Sequence, residues 1–170
     1  MREEDIERVV HTYSTMLLRF TMHHVKEEAQ AQDIVQNVFL KYMEKQPAFI
    51  DEEHEKAWLL RVASNMCKDF LRHWWNRKRK IISMNDTQFV VKMENEYSVL
   101  EEVRKLSFHQ RNAIYLFYFE DYSMKEIAQI FHVKEGTVSS WLTRARKHLR
   151  KQMEGEELYD EALSKGNRTD

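Results

Sequence analysis

The chain is poor in everything that turns a backbone sharply: of its 170 residues, three are glycine and one is proline. Tight hairpins draw on Gly and Asn-Gly turns, so an all-β or α/β fold is disfavoured and an all-α fold is expected. Cys67 is the one cysteine, so no intrachain disulfide can form, which fits a reducing cytoplasm. No apolar run reaches about 18 residues, and the opening stretch MREEDIERVV is acidic. Neither a membrane span nor a signal peptide is expected. The eight histidines show no H-E-x-x-H spacing, and no C-x-x-C is present, so no metal site is predicted. The absence of a glycine-rich phosphate loop argues against nucleotide hydrolysis. No cofactor, small-molecule substrate or enzymatic activity is expected.

Charge is abundant, at 32% of residues, and it is segregated although the formal net charge is only −1. Lys68 to Lys80 holds six basic residues against one acid, and Lys134 to Lys151 holds the same ratio. The stretch from Glu154 to Asp170 reverses it, with six acids against two bases. Local basic patches of this kind suit phosphate binding and are hidden by the net value.

The most informative stretch is SMKEIAQIFHVKEGTVSSWLTRARKHLR, Ser123 to Arg150. Ser123 followed three residues later by Glu126 makes a capping box. Met124, Ile127, Ala128 and Phe131 then form one apolar helical stripe. His132 to Lys134 is the expected turn. A second helix follows, with Val138, Leu142, Ala145 and Leu149 on one face and Gly136, Ser140, Thr143, Arg144 and Lys147 on the other. This is the pattern of a helix-turn-helix, in which the first helix buries the back of the second so that the second can enter a DNA major groove.

Upstream, helical spacing is expected from Asp5 to His24, with Ile6, Val9, Val10, Tyr13, Leu17 and Phe20 inward. It is expected again from about Glu27 to Lys45, with Ile34, Val35, Val38, Phe39 and Tyr42 inward, until Pro47 ends the helix. A third helix runs from about His54 to Trp75, with Ala57, Trp58, Val62, Met66, Phe70 and Trp74 as its inward face. Its end, WWNRKRK, sets aromatics beside cations, a pairing that suits stacked bases with a clamped backbone. The same cations also suit a helix C-terminus. Residues 1–80 thus form one small helical domain, 81–96 a linker, 97–153 a second helical domain and 154–170 an acidic tail. In the second domain Ser107 caps a helix carrying Ala113, Ile114, Leu116, Phe117 and Phe119.

Both domains resemble the extracytoplasmic-function (ECF) group of bacterial RNA polymerase sigma factors. AQDIVQNVFLKYMEK (Ala31 to Lys45) is similar to that group's polymerase-docking helix. AWLLRVASNMCKDFLRH (Ala57 to His73) is similar to its promoter-opening helix. The segments EIA, GTV and RAR carry the resemblance in the second domain. The resemblance implies an alternative sigma factor acting in the cytoplasm, with core RNA polymerase and promoter DNA as partners and an anti-sigma factor as inhibitor. It implies polymerase docking by Asp33, Gln36 and Phe39, although Phe39 is equally readable as core. It assigns promoter opening to Asn65, Lys68, Asp69, Arg72, Arg77 and Arg79, although Asp69 and Arg72 also read as a surface pair. It assigns upstream-element contacts to Thr137, Ser139, Ser140, Thr143, Arg144 and Lys147. Arg146, on the flank, either clamps a phosphate or packs.

The sequence departs from the group's pattern at three places. Asp121 and His132 stand where Gly is usual. TVSSWL replaces a common K-S-R, which leaves contacts at Ser139 and Trp141 open and predicts a shifted promoter preference or fewer phosphate contacts. Trp74 and Trp75 resemble the aromatic pair of primary sigma factors but lie further along their helix, so that pair's role is not carried over. A stand-alone helix-turn-helix regulator, which binds duplex DNA without polymerase, is the alternative.

Overall fold

The computed structural model describes residues 3–84 and 99–153, with side chains over 4–77 and 102–151. The expected linker and acidic tail otherwise lie outside the described residues. Every element among the described residues is a helix: α1 (Glu3–Met22), α2 (Glu28–Lys45), α3 (Glu52–Met84), α4 (Val99–Lys105), α5 (Phe108–Tyr118), α6 (Met124–Phe131) and α7 (Glu135–Met153). They divide into two units, α1–α3 within residues 1–98 and α4–α7 within 99–170.

Unit 1 is a three-helix core. Val9, Tyr13, Leu17 and Phe20 of α1 and Ile34, Val35, Val38, Phe39 and Tyr42 of α2 are buried, as their periodicity predicts. Pro47 disfavours helical backbone at Gln46, which closes α2 with a left-handed φ of 42° and donates its N–H to the Tyr42 carbonyl at 2.9 Å. Asp51 then starts α3 by accepting the His54 N–H at 2.7 Å, the usual work of an N-cap.

Two expectations for α3 need correction. Its buried stripe is Leu59, Leu60, Val62, Ala63 and Cys67. Ala57, Trp58, Met66 and Phe70 are only half-buried, and Trp74 is 40% exposed. The indole of Trp58 instead packs at the bundle edge, against Tyr42 and Phe49, with centroids 5.9 and 6.0 Å away. Secondly, α3 continues through residues 81–84, the start of the expected linker. Neither Gly nor Pro interrupts this stretch, and Lys, Arg and Met favour helix.

One polar cluster ties the three helices of unit 1 together. The Glu55 carboxylate is 4% exposed. Arg8 Nη2 donates to both its oxygens, at 2.9 and 3.0 Å, and the Tyr42 hydroxyl donates at 2.6 Å. Burial pushes this carboxyl up, but the hydrogen bonds from Arg8 and Tyr42 outweigh burial and hold it below its ordinary range. Burial, helped by the carboxylate, pushes the Tyr13 hydroxyl up to about 12 and moves Tyr42 in the same direction.

Unit 2 is smaller, with Val103, Leu106, Ala113 to Leu116, Ile127, Ala128, Ile130, Val138, Leu142, Ala145 and Leu149 buried. Each buried Leu, Ile or Val contributes about 1.5–3 kcal/mol. Ser107 caps α5 with Gln110 in a capping box. Phe119, expected on this helix, is instead its C-cap and is 60% exposed.

Candidate nucleic-acid interface

The helix-turn-helix is α6, the turn at residues 132–134, and α7. Ser123 Oγ accepts the Glu126 N–H at 3.2 Å, and Glu126 Oε2 accepts the Ser123 N–H at 2.8 Å. The reciprocal pair fixes where α6 begins. His132 ends α6 in the left-handed region at φ 53°, and the Val133 N–H reaches back to the Ala128 carbonyl at 3.0 Å. That is a Schellman closure, usually made with Gly. Asp121 likewise has a φ of 55°. Both departures at usual Gly positions therefore keep the left-handed backbone, which His and Asp tolerate better than β-branched residues do.

Val138, Leu142, Ala145 and Leu149 anchor α7 and are all buried. Gly136, Ser140, Thr143, Arg144 and Lys147 are all exposed on the opposite face. A Cβ added at Gly136 would meet nothing within 4 Å, so the start of this face is open. Thr137 and Ser139 are half-buried at its margins. Ser140 Oγ donates to the Gly136 carbonyl at 2.9 Å, leaving its oxygen lone pairs available to accept. Thr143, Arg146, Lys147, Arg150 and Lys151 line a groove of about 600 Å³ toward the end of the helix.

The two flanks of α7 are braced against α5. Arg146 Nε donates to the Tyr118 hydroxyl at 2.7 Å, and its guanidinium lies 5.5 Å from the Phe117 ring centroid and 5.7 Å from that of Tyr118. Of the two alternatives for Arg146, packing is therefore present. Trp141 stacks on His109, with centroids 4.8 Å apart and planes 11° from parallel. Sequence periodicity carries no signal for either brace, because both join helices that are distant in sequence.

Unit 1 presents two further surfaces. On α3, Asn65, Lys68, Asp69 and Arg72 follow at i, i+3, i+4 and i+7, so they share one outer stripe, and all four are exposed. Arg72 Nη2 pairs with Asp69 Oδ1 at 3.0 Å, with both side chains more than half exposed. Arg77 is exposed but falls on the stripe of Phe70 and Leu59, so it does not join that face. The Arg79 side chain lies outside the described residues. From Arg72 to Arg77 every side chain is exposed; Trp74 and Trp75, with rings 5.3 Å apart, belong to this projecting stretch. On α2, Asp33 and Gln36 face solvent while Phe39 is 8% exposed. Gln36 and Phe39 nevertheless meet in an α1–α2 groove of about 480 Å³, with Val10, Leu18, Leu40 and Met43 among its lining. The exposure of Leu40 (45%) and Val10 (37%) gives this groove an apolar rim.

Family models divide the chain along the same line. Sigma-70 region 2 matches residues 9–77, and Sigma-70, region 4 matches residues 97–149. RNA polymerase sigma factor SigV of Bacillus subtilis is 30% identical over 82% of this chain and 86% of its own length. The chain belongs to the ECF group of the sigma-70 family. The ECF RNA polymerase sigma factor SigX of Bacillus subtilis is 27% identical, over 99% of this chain and 94% of its own. The sigma factor RpoE of Bartonella quintana, solved in complex with the anti-sigma factor NepR, shares the fold at a TM-score of 0.68 and 23% identity, over 91% of this sigma factor and 99% of that chain. Transcription initiation is thus the setting in which the three surfaces are to be understood. No helix among the described residues is long and apolar enough to cross a membrane, and they contain no cluster of His, Cys, Asp and Glu able to hold a metal ion.

Proposed function

We propose that this sigma factor binds core RNA polymerase and directs it to promoters that the two units contact in different ways. Residues 1–80 supply docking and DNA opening, and 97–153 supply upstream anchoring. Asp33 and Gln36 are the polar docking contacts beside the apolar α1–α2 groove, with Phe39 forming its floor. Asn65 takes the edge of an unstacked base, since its amide both donates and accepts. Lys68, Arg72, Arg77 and Arg79 hold the strand's phosphates, and Asp69 orients Arg72. In unit 2, α7 enters the major groove of the upstream element with Thr137, Ser139, Ser140, Thr143, Arg144 and Lys147 toward the DNA. Arg144 has the reach and geometry for a guanine edge. Arg146 braces α7 from the flank and meets at most a phosphate.

The observation that carries the reading is the division of α7. Four buried apolar anchors lie on one face, and an open, polar and cationic face lies on the other. The protein performs no chemistry of its own, works in the cytoplasm alongside its polymerase, and is restrained by an anti-sigma factor that covers these surfaces. A mobility shift with a promoter duplex tests it: a sigma factor shifts the DNA when core polymerase is present. Tight binding to duplex without polymerase would instead establish a stand-alone regulator.

A further inference from the structure

The first turns of α7 lack the cations that its later turns carry. From Glu135 to Thr143 there is no Lys or Arg. Apart from the buried Val138 and Leu142, the side chains there are short and polar, with Glu135 and Trp141 as the exceptions. Trp141 follows Thr137 by four positions and precedes Arg144 by three, so it is a surface neighbour of both. It is half-buried, because one face of its indole lies against the imidazole of His109, 4.8 Å away and 11° from parallel. His109 is exposed and belongs to the first turn of α5. A ring from a second helix thus holds the indole in one orientation at the margin of the polar face. A large side chain that is already held loses little freedom on binding.

Resting on the reading of α7 as the DNA-contacting helix, we propose that Trp141 reads a thymine methyl in the upstream element, at a base pair neighbouring the one Arg144 contacts. His109 is the positioning residue that holds the indole for this contact. The chemistry selects the ligand. An indole carries one N–H donor and no charge, so it adds little to phosphate binding. The apolar group that base edges present in the major groove is the C5-methyl of thymine. The preference this contact creates is apolar, so it persists as salt rises, whereas phosphate contacts weaken.

Deoxyuridine differs from thymidine only in lacking that methyl, which makes the contact readable. The probe is a promoter duplex recovered from mapped transcript starts, with each thymine of its upstream element replaced in turn by deoxyuridine. It is bound by the holoenzyme of the full chain with core polymerase. One replacement should weaken binding about three- to five-fold, the loss expected when a single methyl is left without its apolar partner. Trp141→Lys should bind the two duplexes equally at that position and raise the salt slope by about 1. Both affinities come from one preparation, so any loss of folded protein cancels in their ratio. His109→Ala should lower the discrimination to below about two-fold, and His109→Phe, which keeps an aromatic ring under the indole, should restore it. No thymine at which deoxyuridine weakens binding, or discrimination that survives Trp141→Lys, would overturn the thymine contact. Full discrimination in His109→Ala would overturn the positioning role. Failure of the α7 reading itself shows separately, because Arg144→Ala would then also leave every affinity unchanged.

Discussion

The two units solve the same packing problem with interactions of different range. In unit 1, three helices converge on one buried carboxylate: Glu55 draws Arg8 from α1, 47 positions away, and Tyr42 from α2, 13 positions away. In unit 2 the buried carboxylate, Glu102, is paired with Lys105 three positions on, and the capping boxes and left-handed closures are equally local. Unit 1 thus joins α3 to α1 and α2 through a long-range ionic contact, and from Arg72 to Arg77 the side chains of α3 are exposed. Unit 2 sets short-range caps around an apolar core and adds two long-range braces between α5 and α7, Arg146 on Tyr118 and Trp141 on His109, while most cations of α7 remain on its outer face. The contrast teaches where each unit is vulnerable: unit 1 to loss of charge, unit 2 to loss of a cap or an apolar anchor.

Removing Arg8 should separate the units most. Arg8→Met leaves the buried Glu55 carboxylate without its cation and should cost unit 1 roughly 2–3 kcal/mol, below the usual value for a buried pair because Arg8 is itself half exposed. Denaturant unfolding followed separately in the two units should move the unit 1 transition and leave unit 2 in place. The same cluster sets a pH dependence. The folded Glu55 carboxyl titrates below its ordinary value of 4.5. Its contribution is therefore complete above that value and is lost as pH falls through the lower folded one. Acid titration should weaken unit 1 in that window, and Arg8→Met should flatten the slope.

Arg144→Ala should weaken promoter binding by about 1–3 kcal/mol without altering the stability of either unit. Binding measured over a panel of upstream sequences at several salt concentrations should show relaxed preference with the salt slope kept. A uniform loss across sequences would reduce Arg144 to a phosphate contact. Ser123→Ala should cost unit 2 about 1 kcal/mol through the lost cap, seen as a lower denaturation midpoint for that unit alone. The smallest effect runs the other way. His132→Gly removes a left-handed strain of about 1–2 kcal/mol but adds freedom to the unfolded chain. A net gain of about 0.5 kcal/mol in unit 2 is expected by the same measurement.

The difference in range also explains what could be read in the sequence. The helix-turn-helix was legible almost residue by residue, because caps, the turn and both faces of α7 are encoded within a few positions. The inward residues of α2 were legible for the same reason. The register of α3 was not. Its large residues, Trp58, Phe70 and Trp74, suggest a core stripe, whereas the bundle buries the smaller Ala63 and Cys67 and leaves the indoles at its edge and end. The buried stripe also takes Leu59 and Leu60, both fully buried, so its register is set by the α1 and α2 partners and not by the position of the largest residues. Glu55 was missed because a carboxylate beside other acids, EEHE, reads as a solvated first turn; the partners that justify its burial are distant in sequence. Among the candidate site residues, exposure at Asn65, Lys68, Arg72, Thr143, Arg144 and Lys147 agrees with the pattern. Arg146 is bound to Tyr118 across 28 positions, which local spacing could not reveal.

The central claim is that one chain joins a polymerase-docking, DNA-opening unit to a duplex-reading unit. Reconstituted transcription from fragmented genomic DNA, with core polymerase and mapped transcript starts, tests it most directly. The account predicts starts that require both protein and core and share two upstream elements, the distal one altered in preference by Arg144→Ala and the proximal one by Asn65→Ala. Starts sharing a single element, or stable binding to core with no starts at all, would contradict it.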